Sequence, residues 1–199
     1  MSPPVATPLV TRWWWLRHAP MPGPPGMIHP PQAAPAPIAP ERMEPLRRIL
    51  PKRALWLISG WERTKVTARA LTLTRPLPTP GLAEQDFGRW TGLTHEAIAE
   101  ADPEAQAAFW ADPAGAAPPE GESFAEQCAR VAAVIEQMNQ EHAGLDLVAV
   151  AHAGTIRAAC AHALGLTPRQ ALSLVIDPLS LTRIDWIGEA PRIVAINRV

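Results

Sequence analysis

Arg17 and His18 close the run RWWWLRHAP, Arg63 follows RALWLIS by a few residues, and His152 ends the run LDLVAVA. Singly these residues say little. A lone histidine at a strand end more often satisfies its own burial than does chemistry, Arg17 alone reads equally as an ion-pair partner, and Arg63 as a solvated helix residue. Together, two guanidiniums and two imidazoles make an oxyanion site, because the planar arginine fork matches phosphate oxygens bidentately. Phosphate is the oxyanion they suit best. The chain offers neither an Asp/Glu cluster to hold a metal nor a glycine-rich phosphate loop, so phosphoryl chemistry here calls for a protein nucleophile. A neutral imidazole held among cations can attack phosphorus. A departing alkoxide then needs a proton, and Glu84, in the loop after the second strand-helix unit, is the available acid. No metal and no cofactor are expected.

These residues can cooperate only if the elements carrying them converge. TRWWWLR and RALWLIS are short apolar runs of the kind found in strands buried on both faces. In the first, Trp13, Trp14 and Trp15 would alternate between the two faces and anchor the strand end. Between these runs, ERMEPLRRIL is helical in pattern despite Pro45. Ser59 and Glu62 have capping-box spacing and would open a helix over WERTKVTARAL, with Arg63 in its first turn. LAEQDFGRWTGL reads as a loop, HEAIAEA as a short helix, and PEAQAAFW as another, with Asp102 as cap and Pro103 at its first position. Ser123 and Glu126 form a second capping box, opening the longest helix, which runs to about His142. LDLVAVA is a buried strand, and GTIRAACAHALG a helix closed by Gly165. LSLVID, LSLTRIDWI and RIVAINRV are expected strands, the last two joined as a hairpin around GEAP. Alternating buried strands and helices imply an α/β fold with an open sheet covered on both faces, and such sheets bind ligands beyond the carboxyl ends of their strands.

Proline is the compositional outlier, 24 of 199 residues against about 5% on average. Nine of them lie between Pro20 and Pro40, where missing donors and fixed φ disfavour helix and central strand alike. A loop that long is usually a cover over a site or a linker, and only about ten residues of strand precede it, so a cover is favoured. Eighteen basic and nineteen acidic residues leave a net charge of -1, which excludes the global field typical of nucleic-acid binders and makes any anion site local. No stretch reaches the roughly 20 apolar residues of a membrane span, and Cys128 and Cys160 lack metal-ligand spacing. A cytoplasmic, non-membrane protein with a small phosphorylated metabolite as partner is expected. The tryptophans of FGRW and AAFW either form a homodimer face or fill the core.

At these residues the chain resembles the histidine phosphatase superfamily, branch 1, the phosphoglycerate-mutase-like proteins. LRHAP is similar to the family's Arg-His-Gly motif, and SGWERTKVTA to its Ser-Pro-Leu-x-Arg-Ala-x-x-Thr-Ala signature. LAEQDFGRWTG resembles its Glu-x-x-Phe-Gly-x-Trp-x-Gly box, PEGESFAEQCARV its Gly-Glu-Ser helix start, and VAVAHAGTIRA its second His-Gly-Gly segment. Five motifs in the family's order, from about Trp13 to Leu164, make the resemblance specific. It implies a three-layer α/β/α sandwich with a mostly parallel central sheet. His18 would be the nucleophile that becomes phosphohistidine. Arg17, Arg63 and His152 would hold the phosphoryl oxygens, with the Ala153 amide as a further donor, and Glu84 would protonate the leaving group and then activate water.

Some positions depart from the family pattern. Ala19 and Pro20 stand where the family has glycine and Glu-Thr, Gly60 and Trp61 replace Pro-Leu, and Ala153 replaces the first glycine of the second motif. His29, in the proline-rich loop, either faces the substrate or sits on the surface. Residues 1–199 are expected to form a single histidine phosphatase-like domain, with 1–10 flexible and 20–40 a loop near the active site. The expected activity is metal-independent phosphoric monoester hydrolysis, and similarity to the short members of the family puts alpha-ribazole phosphate among the substrates. The alternatives are a phosphoglycerate mutase-type phosphotransferase and a non-catalytic phosphometabolite-binding protein.

Overall fold

The computed structural model describes residues 9–198. Of the amino-terminal segment expected to be flexible, residues 1–8 lie outside the described residues, and Val10 already belongs to the first strand. That strand, β1 (Val10–Arg17), lies at the heart of a six-stranded sheet with β2 (Leu55–Ile58), β3 (Leu77–Pro78), β4 (Asp146–Ala151), β5 (Leu181–Ile187) and β6 (Ala190–Arg198). The strand order is β3-β2-β4-β1-β5-β6. β1, β2, β3 and β4 run parallel, whereas β5 and β6 run antiparallel and form the hairpin expected at Gly188-Glu189. Pro78 is tolerated because β3 is an edge strand, where a missing amide breaks no internal ladder.

β1 shows why the sheet must be covered twice. Trp13 and Trp15 point to one face and stack on each other with ring centroids 4.6 Å apart. There they meet α5 (Phe124–Glu141) and α6 (Ala153–Leu164) through Val131, Ile135, Ile156 and Cys160. Trp14 and Leu16 point to the other face, onto α1 (Pro40–Ile49) and α2 (Glu62–Arg69), through Met43, Leu46 and Ala68. Both helix layers therefore rest on one strand whose apolar side chains serve each in turn. The polar edges of two indoles are satisfied within this packing, Trp13 Nε1 donating to Asn139 (2.8 Å) and Trp14 Nε1 to Asp146 (2.9 Å).

Beyond the sheet, α3 (His95–Ala101) and α4 (Pro103–Ala111) enclose a small apolar cluster of Trp90, Ile98 and Phe109. Trp90 is buried there, edge-on to Phe109, so it offers no dimer face, and only Trp110 of the two expected residues is exposed. The capping box at Ser123 forms as expected: the Ser123 hydroxyl accepts from the Glu126 amide and the Glu126 carboxylate accepts from the Ser123 amide. Ser123→Ala should therefore lower unfolding stability by about 1 kcal/mol, measurable as a shift in the denaturant midpoint at unchanged slope.

Two local expectations fail for identifiable reasons. LSLVID is not a strand: α7 (Pro168–Ala171) ends just before it, Leu172 and Ser173 form a turn, and residues 174–177 have no regular secondary structure and no sheet partner. Its apolar residues are explained by Ile176, which is buried in the core. Ser59 does not cap α2 in a box, since the cap position is Trp61 and the Ser59 hydroxyl accepts only the Trp61 amide (3.3 Å) there. Its hydroxyl serves a histidine instead.

Candidate active site

The parallel register brings the chemistry together. Arg17 of β1 pairs with Ala151 of β4, and Ile58 of β2 pairs with Val150 of β4, so the three strands end at one level of the sheet. The next residues, His18, Ser59 and His152, therefore share one edge. Arg63 joins them from the first turn of α2 and Glu84 from the loop before α3. Arg17, His18, Arg63, Glu84 and His29 all line one cavity of about 950 Å³.

His18 is only 5% exposed. Its Nδ1 lies 2.7 Å from the carbonyl of Ala19. A carbonyl can only accept, so Nδ1 carries the proton and Nε2 is the nitrogen with a free lone pair. Burial, reinforced by the charges of Arg63 and Arg17, holds the imidazole pKa down at about 3, so the ring is neutral throughout the physiological range. Ala19 is itself anchored, its amide donating to Thr67 Oγ1 (2.9 Å) from α2. The His18 ring is thus oriented through the carbonyl of one buried residue whose amide is itself anchored.

The arginines present their remaining donors to the cavity. Arg17 Nη1 donates to the Ile176 carbonyl (2.6 Å), while its buried Nε has no partner among the described residues. Arg63 donates from Nη1 to Pro30 O (3.0 Å) and from Nε to His152 Nδ1 (3.3 Å), leaving Nη2 available. Burial lowers the pKa of both, that of Arg63 to about 10, which leaves both cationic at neutral pH.

His152 behaves differently from the expectation of a direct phosphate contact. It is fully buried and absent from the cavity wall. Because Arg63 Nε–H is a donor, Nδ1 of His152 must be the acceptor. Nε2 then donates to Ser59 Oγ (2.8 Å), and a chain continues from Ser59 to Thr64 Oγ1 (3.2 Å) and on to the Trp61 carbonyl (2.8 Å). Both nitrogens are thereby engaged, and His152 reaches the cavity only through Arg63. Its pKa lies well below 6.5, driven by burial and then by His18, so it adds no charge. The amide expected from Ala153 does not line the cavity either. The neighbouring Gly154 amide donates to Glu84 Oε2 (3.3 Å) instead.

Glu84 is held by residues that local sequence patterns leave without a role. Its Oε1 accepts from Gln127 Nε2 (3.1 Å) and from the Gln85 amide (3.3 Å). Gln127 is fully buried on α5. Gly154 has no alternative side chain at its position, for a Cβ there would collide with Glu84 Oε1 and lie 2.7 Å from Gln127 Oε1. The signal for Ser59, Thr67 and Gly154 lies inside the family-like motifs, at fixed offsets from Arg63 and His152, and Gln127 falls inside PEGESFAEQCARV.

The proline-rich segment contributes Pro20, Met21, Met27, His29 and Pro31 to the cavity wall, with Pro40 already the first residue of α1. It is pinned at several points: Met27 bridges to Thr94, Ile28 N donates to Leu93 O (2.9 Å), Gly92 N to Ile28 O (2.7 Å), and Glu62 N to Pro31 O (3.0 Å). His29 lies on its inner side, lining the cavity, with a pKa lowered by partial burial and by Arg63.

An α/β sheet that collects two guanidiniums and one neutral imidazole at its carboxyl edge, facing a carboxylate across a cavity, is built to hold and transfer an oxyanion. The chain belongs to the histidine phosphatase superfamily (branch 1), whose family model matches residues 41–199. Among curated proteins no match is found. Solved structures include a mycobacterial glucosyl-3-phosphoglycerate phosphatase, 25% identical with a TM-score of 0.81 over 96% of this chain and 100% of the other. An alpha-ribazole phosphatase from Shigella flexneri is 25% identical, with a TM-score of 0.80 over 94% and 96%. YhfR from Bacillus stearothermophilus, at 21% identity and TM-score 0.82 over 95% and 98%, shares the fold. The matched family span begins beyond Arg17 and His18, so their place beside Arg63 comes from the strand register. Among the described residues no helix is long and apolar enough to cross a membrane.

Proposed function

We propose that the chain is a single-domain, metal-independent phosphomonoester hydrolase that works through a phosphohistidine on His18. The observation that carries this reading is the His18 tautomer: Nδ1–H is spent on the Ala19 carbonyl, which leaves a buried, neutral, unpartnered Nε2 beside two arginines. Arg17 and Arg63 hold the phosphoryl oxygens. Nε2 attacks phosphorus in line as the P–O bond to the alcohol breaks, and Glu84 gives its proton to the departing oxygen. In the second step water attacks the phosphohistidine, Glu84 takes the proton, the P–N bond breaks, and inorganic phosphate leaves with His18 neutral again. The arginines stabilise the equatorial oxygens in both transfers. His152 contributes by fixing Arg63, and His29 reaches the ester from the cover. Alpha-ribazole phosphate is one ester to test, a choice supported by the likeness to the alpha-ribazole phosphatase.

Rapid mixing with an aryl phosphate followed by quenching tests the reading. The expected result is an acid-labile, alkali-stable phosphoprotein carrying one phosphoryl group on His18, decaying to inorganic phosphate. Transfer of the group to a second alcohol in place of water would mark a phosphotransferase. A wild-type protein with neither turnover nor phosphoprotein across a broad phosphoester panel would be a binding protein.

A further inference from the structure

The part of the cavity that would hold the alcohol differs in charge from the part that would hold the phosphate. Its rim is formed by the turn carrying Asp86 and the turn carrying Glu120, and both residues line it. The two turns pack backbone to backbone. A Cβ on Gly88 would strike the Pro119 carbonyl, one on Gly121 would strike the Asp86 carbonyl, and Gly121 lies directly beside Glu120, whose own φ is 62°. The backbone of the two turns is therefore held together, and it carries the exposed carboxylates of Asp86 and Glu120 on the rim.

Among the described residues, no cation on this cavity is left over for a second anion. Arg130, the third arginine on the wall, is committed to Glu122 and to the Gly81 (2.8 Å) and Ala83 (3.3 Å) carbonyls. Arg63 is divided among Pro30, His152 and the phosphate position, and Arg17 between Ile176 and the same position. Arg89, near the rim, is paired with Glu120 at 3.7 Å and does not line the cavity. Met21, Met27, Phe87 and Trp61 supply apolar surface opposite the acids. At about 950 Å³ the space stands at the upper end of the ~300–1,000 Å³ that accommodates drug-sized ligands, far beyond a three-carbon acid.

Resting on the hydrolase reading, we infer that the substrate is the phosphomonoester of an uncharged or cationic alcohol with an apolar face, and that esters whose alcohol carries a carboxylate are discriminated against. A carboxylate on the leaving group would meet Asp86 and Glu120 with no donor of its own, and like charges brought together in this way disfavour such an ester. The preference runs opposite to that of a pocket for a phosphorylated glycerate.

Glycerol 3-phosphate and 3-phosphoglycerate make a matched pair, since both release a primary alcohol and differ in a hydroxymethyl against a carboxylate. The expected result is a kcat/KM at least tenfold higher for glycerol 3-phosphate, with adenosine 5′-monophosphate higher still because its bulk fills the apolar wall. In the double variant Asp86→Asn, Glu120→Gln the ratio for the matched pair should narrow at least threefold, through KM for 3-phosphoglycerate. Equal kcat/KM for the pair in the wild type, or a ratio unmoved by the double variant, would overturn the inference and leave the hydrolase standing. Absence of turnover on all three esters would remove the hydrolase reading and the inference with it.

Discussion

His18→Asn should lower kcat for any phosphomonoester by more than about 10⁴-fold, the scale of loss when a covalent nucleophile is removed, and at the same time make the protein more resistant to acid. Asparagine is the informative replacement because its amide can keep the bond to the Ala19 carbonyl while offering no nucleophilic nitrogen. The stability effect follows from the pKa. In the unfolded chain His18 titrates near its ordinary value of 6.5, whereas in the fold it is held at about 3. Between these values the unfolded state binds a proton that the native state refuses, so wild-type stability falls as pH drops from 6.5 towards 3. The full difference amounts to about 5 kcal/mol at the acid end. The variant lacks it. Urea unfolding of both proteins in phosphate-free buffer from about pH 7 to about pH 4 should show curves that separate steadily, with the asparagine protein gaining relative to wild type as pH falls. Parallel curves would mean that His18 is not held neutral, and the case for a ready nucleophile would go with them.

Removing a catalytic histidine normally costs activity with a smaller stability change of either sign. Here the coupling is specific, because the same burial and the same two arginines that keep Nε2 unprotonated also make a protonated His18 intolerable. The Glu84 carboxylate offsets part of that positive charge, since it acts to raise the pKa of both Arg17 and Arg63 against the effect of burial.

How far this arrangement could be read from the chain depends on the range of the interactions involved. The strands of β1, β2 and β4 and the caps at Asp102 and Ser123 were legible because period, cap chemistry and apolar run length are local properties. The convergence of Arg17, His18, Arg63 and His152 was legible because parallel strands deliver their carboxyl ends to one edge by rule. What escaped was set by contacts between distant segments. Ser59 and Glu62 have the spacing of a capping box, yet a buried imidazole from a neighbouring strand competes for the Ser59 hydroxyl and wins. LSLVID has a strand's composition, but Ile176 and Leu174 pack into the core cluster while Val175 is exposed, and the Ile176 carbonyl is used by Arg17. Trp90 looked exposed in FGRW because its cover, Phe109, lies on a helix nearly twenty residues later. Gln127 falls inside PEGESFAEQCARV, yet nothing local there shows that its amide reaches a carboxylate 43 residues away.

That last contact leads to the second large effect, at a residue that bears no functional group. Gly154→Ala should lower kcat for alkyl phosphates by about 10²–10⁴-fold, the range contributed by a positioned general acid. Alanine suits the helix better than glycine does, and position 154 has ordinary helical backbone, so α6 itself should tolerate the change. The new methyl must displace either Glu84 Oε1 or the Gln127 amide, both fixed by the loop and by α5. The expected stability cost is about 1–3 kcal/mol, typical of an overpacked site. Leaving-group dependence separates loss of the acid from general damage. A p-nitrophenolate departs without help, so phosphorylation of His18 by p-nitrophenyl phosphate should remain close to the wild-type rate, whereas glycerol 3-phosphate should be cleaved poorly. Because Glu84 also draws the proton from water in the second step, the phosphoenzyme should accumulate with the aryl ester and dephosphorylate slowly. A Gly154→Ala protein that slows both esters equally would show a disturbed phosphate site. One that cleaves glycerol 3-phosphate at the wild-type rate would show that the proton comes from a group other than Glu84.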